Sequence, residues 1–299
     1  MKKLRTRYLL LISFISFLVI ISCGVYLFYQ FFIPNNGNNN NYLNILLDED
    51  KHQSENIHYK KAIKDYSEHN IRIAIDELNE EVKLYPKHAQ AYFLLGKIYE
   101  DTEFPEGKYL SLMVKFYEKY IGLKPAGKRV KYAKLRVAQY YIQAGFKQRN
   151  VDLLKRAEDY LLSLDQTDSS VRMALGAIYL DKNNYDKAIE EFEKSAQLPP
   201  NDFKLKYNSL GLAYIKKESY AKAKLYLEIA LKIDPNDKYA HNNIGYVYVR
   251  LNDYENAKKH FTEALKIDKT YTNAQDNLIW VEEKMRTASG KSGNKAGKD

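Results

Sequence analysis

The chain has 299 residues, of which 45% are hydrophobic and 28% charged, and this is enough apolar material for a continuous core. The formal net charge is +9, and four basic residues precede the first acidic one: Lys2, Lys3, Arg5 and Arg7. The single cysteine, Cys23, excludes an intramolecular disulfide and a cysteine-based zinc site.

The N-terminal residues 1–33 are predicted to be a membrane anchor. Residues 8–33 carry no charged side chain, and as an α-helix they would exceed the ~30 Å hydrocarbon core of a bilayer. The basic residues precede this segment and the first charge after it is Asp48, so the positive-inside rule predicts a cytoplasmic N-terminus. The sequence therefore predicts a single-pass protein of the bacterial inner membrane, held through residues 8–33, with everything that follows on the extracytoplasmic side.

A lipid anchor is the alternative for the same segment. Ile20, Ile21 and Ser22 before Cys23 are similar to a bacterial lipobox, where cleavage before the cysteine leaves a lipidated N-terminus. Residues 24–33 are strongly apolar, whereas a lipoprotein normally continues with a polar tether. This favours the transmembrane helix and leaves lipidation of Cys23, in an envelope lipoprotein, as the second interpretation.

Residues 34–168 lead from the anchor to the most regular part of the chain. Residues 34–55 are rich in asparagine and predict a flexible linker. Beyond residue 56 the pattern is helical, and Gly96 with Tyr99 and later Tyr141 with Gly145 indicate helix pairs of irregular spacing. We predict degenerate helical repeats over residues 56–168.

Residues 169–271 form three regular units. Gly176, Gly211 and Gly245 each follow Leu or Ile and precede a tyrosine by three residues. The second half of each unit has an alanine with a large apolar residue four positions later: Ala188 with Phe192, Ala223 with Leu227, and Ala257 with Phe261. A fixed period of about 34 residues is typical of stacked helix–turn–helix pairs.

Residues 272–299 close the array. Four apolar residues share one helical face, namely Ala274, Leu278, Val281 and Met285. They predict a capping helix over 272–286, since the last unit would otherwise expose its apolar side. Trp280 is interpreted as part of this packing. Residues 287–299 are rich in Gly, Ser and Lys and predict a disordered basic tail.

The three units resemble the tetratricopeptide repeat family. The family has a small residue and then a tyrosine in the first helix, a small residue and then an aromatic or leucine in the second, and a proline near the end. Residues 169–271 follow this pattern, although Lys269 replaces the last proline. The resemblance implies an all-α fold: a right-handed α-solenoid of helix pairs with a C-terminal capping helix, preceded here by the predicted transmembrane helix. It identifies the chain as a membrane-anchored bacterial member.

No motif for catalysis, a cofactor or a metal is found. The six histidines lack His-Glu-x-x-His or similar metal spacing, and there is no Gly-rich phosphate loop or Gly-x-Ser-x-Gly elbow. His241 and His260 fall on repeat helices, where a surface or interface role is expected. We predict that the chain is not an enzyme and has no catalytic, cofactor-binding or metal-binding residue.

The inner face of the first helices is the predicted binding groove. The resemblance places the second, fifth, ninth, twelfth and thirteenth residues of each unit there. The candidate residues are Met173, Leu205, Asn208, Leu212, Ile215, Tyr239, Asn242, Tyr246 and Arg250. This mainly apolar surface suits an amphipathic helix or an extended peptide whose backbone the asparagines would bond. Packing against a neighbouring helix is the alternative role, and the family's carboxylate clamp is not expected because Met173 and Ala177 replace its Lys and Asn.

The functional hypothesis is a membrane-tethered scaffold for protein–protein interaction in the bacterial cell envelope, with a protein or peptide partner. The alternative is a binding module for a small or lipid-like molecule that serves an envelope transport system. Residues 124–156 are strongly basic, with Asp152 as their only acid, and are interpreted as a solvated face, or alternatively as a contact for anionic lipid or an acidic partner. No nucleic acid is expected, because the predicted domain lies outside the cytoplasm.

Overall fold

The computed structural model describes residues 56–102, 108–123, 128–199 and 203–293. Within these residues the chain forms thirteen α-helices and no β-strand, which confirms the predicted all-α class. The described helices fall into two compact units, one within residues 56–164 and the other within 165–293. The predicted linker 34–55 lies outside the described residues.

The first unit consists of three consecutive helix pairs. Its helices are α1 (Ile57–Ser67), α2 (Ile71–Leu84), α3 (Ala89–Asp101), α4 (Lys108–Leu123), α5 (Lys128–Gln148) and α6 (Val151–Leu162). Each even-numbered helix packs against the helix before it. The close approach of α3 and α4 depends on Gly96, because a Cβ at this position would lie 2.6 Å from the ring of Tyr117.

Two carboxylates on successive helices connect the helices of the first unit through hydrogen bonds. Glu100 on α3 accepts hydrogen bonds from the phenols of Tyr117 on α4 and Tyr132 on α5, both at 2.6 Å. Arg136 Nε on α5 lies 2.7 Å from the same carboxylate. Burial, followed by the charge of Glu100, raises the pKa of Tyr117, so this phenol remains a donor.

Glu118 on α4 repeats this arrangement one helix later. It accepts hydrogen bonds from the phenols of Tyr141 on α5 and Tyr160 on α6, both at 3.0 Å, and from Arg156 on α6 at 2.8 Å. Each carboxylate therefore links three consecutive helices. Charge-assisted bonds of this kind are stronger than neutral ones.

The second unit contains three further pairs and a final helix. Its helices are α7 (Ser169–Asp181), α8 (Tyr185–Ala196), α9 (Phe203–Lys216), α10 (Tyr220–Ile233), α11 (Lys238–Arg250), α12 (Tyr254–Ile267) and α13 (Thr272–Gly293). In every pair the glycine of the first helix faces the large residue of the second: Gly176 faces Phe192, Gly211 faces Leu227, and Gly245 faces Phe261. The three large side chains are fully buried.

The turns inside these pairs share one backbone conformation. Asn183, Glu218 and Asn252 have left-handed φ angles of 56°, 60° and 61°. Asparagine adopts this conformation more readily than most residues with a side chain, which explains two of the three positions. The second helix of each pair begins directly after the turn. Asn184 caps the first turn of α8 with its side chain, and Asp253 caps that of α12.

Helix α13 covers the last repeat. Val281 is buried against Ala257 and Phe261 of α12. Three partly buried side chains of the same helix join this cluster: Leu278, Trp280 and Met285. The helix ends at Gly293, beyond the end at residue 286 expected from the sequence.

The predicted inner-membrane location is corrected by the structure. Among the described residues, no helix is both long enough and apolar enough to cross a bilayer. The two longest, α5 with 21 residues and α13 with 22, carry several charged side chains, which are costly in hydrocarbon. On this finding the prediction of a single-pass inner-membrane protein is wrong. The segment predicted to span the membrane, residues 8–33, lies outside the described residues, as does Cys23 of the lipid-anchor alternative.

Candidate functional site

The nine predicted groove residues lie mainly inside the second unit. Seven of them have exposed fractions of 8% or less: Met173, Leu205, Asn208, Leu212, Ile215, Asn242 and Tyr246. Tyr239 is half-buried and Arg250 is exposed. The apolar members belong to or pack against one core cluster, which also contains buried side chains of the second helices α8 and α10. Their assignment as binding residues stays a prediction.

Two asparagine pairs connect α9 with α11 and α11 with the final helix α13. Asn243 Nδ2 on α11 donates to Asn208 Oδ1 on α9 at 3.0 Å. Asn277 Nδ2 on α13 donates to Asn242 Oδ1 on α11 at 2.9 Å. All four side chains are buried, and each makes one amide–amide hydrogen bond inside the unit, while Asn242 Nδ2 has no partner among the described residues. Each pair fixes the position of one helix along the next.

A cleft of about 330 Å³ opens where α11 ends, α12 begins and α13 passes over both. The lining side chains come from these three helices and the α11–α12 turn: Tyr246, Val249, Arg250, Asn252, Tyr254, Asn277, Trp280 and Lys284. Tyr246 and Arg250 are therefore the two predicted groove residues that line this cleft.

The apolar side of the cleft is aromatic. Trp280 and Tyr254 meet edge to face, with ring centroids 6.1 Å apart and an interplanar angle of 67°. The indole N–H of Trp280 is buried and has no hydrogen-bond partner among the described residues. The two rings therefore offer the cleft mainly their apolar area.

The polar side of the cleft is cationic. Arg250 Nη1 donates to the hydroxyl of Tyr246 at 3.2 Å, and its guanidinium lies 5.0 Å from the ring centre of Tyr220. Lys284 Nζ lies 5.0 Å from the ring centre of Trp280. These contacts hold both charges in place. The lining residues include no carboxylate, although Glu218, outside the lining, lies 3.8 Å from Arg250 Nη2. The cleft is thus positively charged beside an aromatic wall.

Sequence reasoning missed Tyr254 and Lys284 and gave Trp280 only a packing role. The repeat pattern assigns binding to the first helices, whereas these three residues lie on a second helix and on the final helix. The available signal was Trp280 itself, the only tryptophan of the chain. Trp280 both packs against α12 and lines the cleft.

A second cavity of about 380 Å³ lies between the α10–α11 and α12–α13 turns. Its charges are already paired. Lys204 lies 3.0 Å from Asp234, and Lys238 lies 2.5 Å from Asp268. Asp237 caps α11 through the backbone N–H groups of Tyr239 and Ala240. This cavity is a weaker binding candidate than the cleft.

The basic stretch 124–156 is partly neutralised by acids from other helices. Arg136 and Arg156 lie on the two carboxylates described above, Glu100 and Glu118. Arg129 is buried, and its guanidinium lies 5.4 Å from the ring centre of Phe93. These three arginines therefore have a structural role inside the first unit.

The fold and the repeated glycine contacts define a helical-repeat protein. Two family models described as tetratricopeptide repeat match the second unit, over residues 169–202, 207–237 and 239–271. These residues are tetratricopeptide repeats, as the sequence resemblance predicted. The matching models describe a repeat and not a catalytic domain. The match shows the repeats of residues 169–271, and it shows neither a bacterial source nor a membrane anchor.

Among known proteins, one curated relative is the tetratricopeptide repeat domain-containing protein PYG7, chloroplastic, of Arabidopsis thaliana. It is 38% identical over 76 residues, which are 25% of either chain. A similar solved structure is that of the APC/C hetero-tetramer Cut9–Hcn1, with a TM-score of 0.53 and 20% identity over 81% of this chain and 46% of that one. YrrB, a tetratricopeptide repeat protein with an unusual peptide-binding site, has a TM-score of 0.48 and 15% identity, over 66% of this chain and 95% of that one. The chain spans a quarter of the curated relative and less than half of the Cut9–Hcn1 chain; the latter supports the fold alone.

Proposed function

We propose that this protein is an interaction scaffold whose second unit binds a peptide segment of another protein in the cleft between α11, α12 and α13. The observation that carries the proposal is the cleft itself, with Trp280 and Tyr254 on one side and Arg250 and Lys284 on the other. Tetratricopeptide repeats are repeat units whose stacked helices form extended binding surfaces, which supports an interaction role.

The chemistry of the cleft defines the peptide. The cleft lining carries two cations and no carboxylate, so its net charge stays positive even with Glu218 beside Arg250, and this favours an acidic group. The aromatic wall favours an apolar side chain next to it. Tyr246 and Asn277 complete the lining. The remaining predicted groove residues, which are mostly buried, would support the cleft from within the core. The expected ligand is therefore a short peptide with an acidic residue beside an aromatic or aliphatic one.

The envelope part of the sequence-based hypotheses depended on the membrane location and is not carried forward. The expectation that nucleic acid is not a partner rested on the same location and stays only a prediction. The absence of enzymatic activity and of a cofactor also stays a prediction.

The test is selection of binding peptides from a random 12-residue library with the full chain. Fluorescence anisotropy then measures the affinity of the selected peptides for the wild type and for Arg250→Ala, Lys284→Ala and Trp280→Ala. Each substitution should weaken binding at least about tenfold, since aromatic and arginine anchors contribute ~2 kcal/mol or more. Added salt should weaken binding further.

Lys232→Ala is the matched control, because Lys232 is an exposed cation of the same unit that does not line the cleft. It should leave the affinity unchanged. Selected peptides without enrichment of acidic residues would contradict the proposal, as would peptides that bind the three cleft variants as tightly as the wild type.

A small-molecule ligand is the second candidate function. The cleft volume of about 330 Å³ favours it, since pockets for small ligands start at ~300 Å³. Native mass spectrometry of the purified full chain tests this candidate. A bound mass that persists in Lys232→Ala and disappears in Trp280→Ala would support it over the peptide.

A further inference from the structure

Two histidines that are 19 positions apart in sequence meet in the last repeat. His241 on α11 and His260 on α12 have their Nδ1 atoms 3.1 Å apart. The ring centres are 5.4 Å apart and the ring planes differ by 36°. Both side chains are half-buried, so the pair keeps a side open to solvent.

The hydrogen bonds determine which nitrogen can act as a ligand. His241 Nε2 lies 3.0 Å from the carbonyl oxygen of Pro235, and because a carbonyl only accepts, Nε2 carries the proton. The lone pair of His241 is then on Nδ1. A backbone carbonyl that orients the second nitrogen of a histidine in this way is a common support for metal-ligating imidazoles.

His260 supplies the second nitrogen of the pair, and its ring is half-buried beside His241. In the metal-free pair its Nδ1–H donates to His241. A change to the Nε2–H tautomer frees the second Nδ1 lone pair without loss of a proton from the protein.

The separation of the two nitrogens suits one metal ion. With metal–nitrogen bonds of ~2.0–2.1 Å, atoms 3.1 Å apart subtend about 98° at the metal. This is a cis arrangement between the tetragonal and tetrahedral values. No group of three or more His, Cys, Asp or Glu side chains within the described ranges is placed to hold a metal, so water would complete the coordination.

The surrounding charges are mixed. The positive charges of Lys224 and Lys259 would repel a bound metal ion, whereas the carboxylate of Glu263 interacts favourably with both histidine rings. Tyr248 stacks on His260 with ring centres 5.5 Å apart and restricts its orientation. A metal here therefore needs a strong preference for imidazole nitrogen.

We propose that His241 and His260 form a two-nitrogen site for a divalent transition metal, with Cu²⁺ as the preferred ion, that joins the two helices of the last repeat. Among the divalent first-row metals, Cu²⁺ binds nitrogen ligands most tightly, and it accepts two cis imidazoles with water in the remaining positions. The metal stabilises the folded state because the two nitrogens are close together only there.

The test uses the full chain and Cu²⁺ alone at pH 7. Native mass spectrometry and a thermal unfolding scan should show one bound ion and a higher Tm, both reversed by EDTA. His241→Gln and His260→Gln should each weaken Cu²⁺ binding at least ~10-fold. His69→Asn is the control, because His69 is exposed and has a φ of 64°, which asparagine tolerates. The Cu²⁺ affinity of this variant should match that of the wild type.

A measurement on the wild type keeps the proposal testable if the glutamine variants do not fold. Substoichiometric Cu²⁺ should broaden the ring resonances of His241 and His260 before those of the other histidines. Broadening that starts at another histidine would overturn the proposal. So would equal Cu²⁺ affinity in wild type and the folded double variant.

Discussion

Replacement of Gly211 by leucine tests the packing of the repeat pairs directly. Gly211 lies on α9 against Leu227 of α10, and a Cβ at this position would be 2.5 Å from Leu227 Cγ and 2.7 Å from Cδ2. Carbon atoms in contact lie ~3.5–4.0 Å apart. Leu227 is fully buried and cannot turn away, so α9 and α10 must separate by ~1 Å.

The expected cost follows from two opposing effects. Overpacking costs ~1–3 kcal/mol, and the upper end applies because the Cβ already clashes and three more carbons follow. Removal of a helical glycine recovers ~0.8 kcal/mol through helix propensity. The free energy of unfolding should therefore fall by about 2 kcal/mol. This corresponds to roughly 6–8 °C in Tm for a unit of this size.

Urea unfolding followed by circular dichroism measures this loss. Gly122→Leu on α4 is the matched control, since a Cβ there meets no atom within 4 Å, and it should not destabilise the protein. In the double variant with Leu227→Ala, the leucine at 211 should cost less than it does in the wild type, because its obstacle is gone. Equal costs in the two backgrounds, or a wild-type-like Gly211→Leu, would refute the reasoning.

Two further predictions concern the carboxylate links and the histidine pair. Glu100→Gln should lower the free energy of unfolding by ~1–3 kcal/mol. The loss should be larger than that of Glu118→Gln, because the side chain of Glu100 is 7% exposed and that of Glu118 is 29% exposed. Urea unfolding of both variants measures the two losses, and equal losses would contradict the prediction. Because the pKa of His260 in the folded protein is lowered from 6.5 to about 4, its contribution to stability is complete above pH 6.5 and is lost as the pH falls towards 4. The urea midpoint of the wild type should therefore fall over this range by more than that of His260→Gln, and parallel pH profiles would show that His260 is not responsible.

The glycine contacts show what the sequence could predict. A period of about 34 residues with a small residue facing a large one predicts helix pairs, and Gly176, Gly211 and Gly245 do face Phe192, Leu227 and Phe261. The tetratricopeptide repeats of the second unit could be recognised because each unit has the same contact at the same offset. In the first unit, Gly96 faces Tyr117 across a longer connection, and the pattern is correspondingly weaker.

The candidate site was harder to predict because periodicity gives a residue's face but not what covers it. Asn242 and Leu212 occupy inner positions of the repeat, yet both are buried: Asn242 is paired with Asn277 of α13, and Leu212 belongs to the core cluster. His241 and His260 illustrate the second difficulty: their meeting depends on the α11–α12 turn, and no local motif spans 19 residues. The links of Glu100 to Tyr132 and Arg136 likewise form between separate helices.

The asparagine pairs determine how this array could grow. In these pairs the sixth residue of a repeat donates a hydrogen bond to the preceding repeat, and the fifth residue accepts one from the following helix. Residues 238–271 supply both groups: Asn243 is the donor and Asn242 is the acceptor. The repeat before it has Ser209 at the sixth position, and the first has Met173 at the fifth. A tandem duplication of residues 238–271 would therefore recreate the same amide pair at the new junction. Gene duplication or protein engineering could lengthen the array at this one repeat without a compensating substitution.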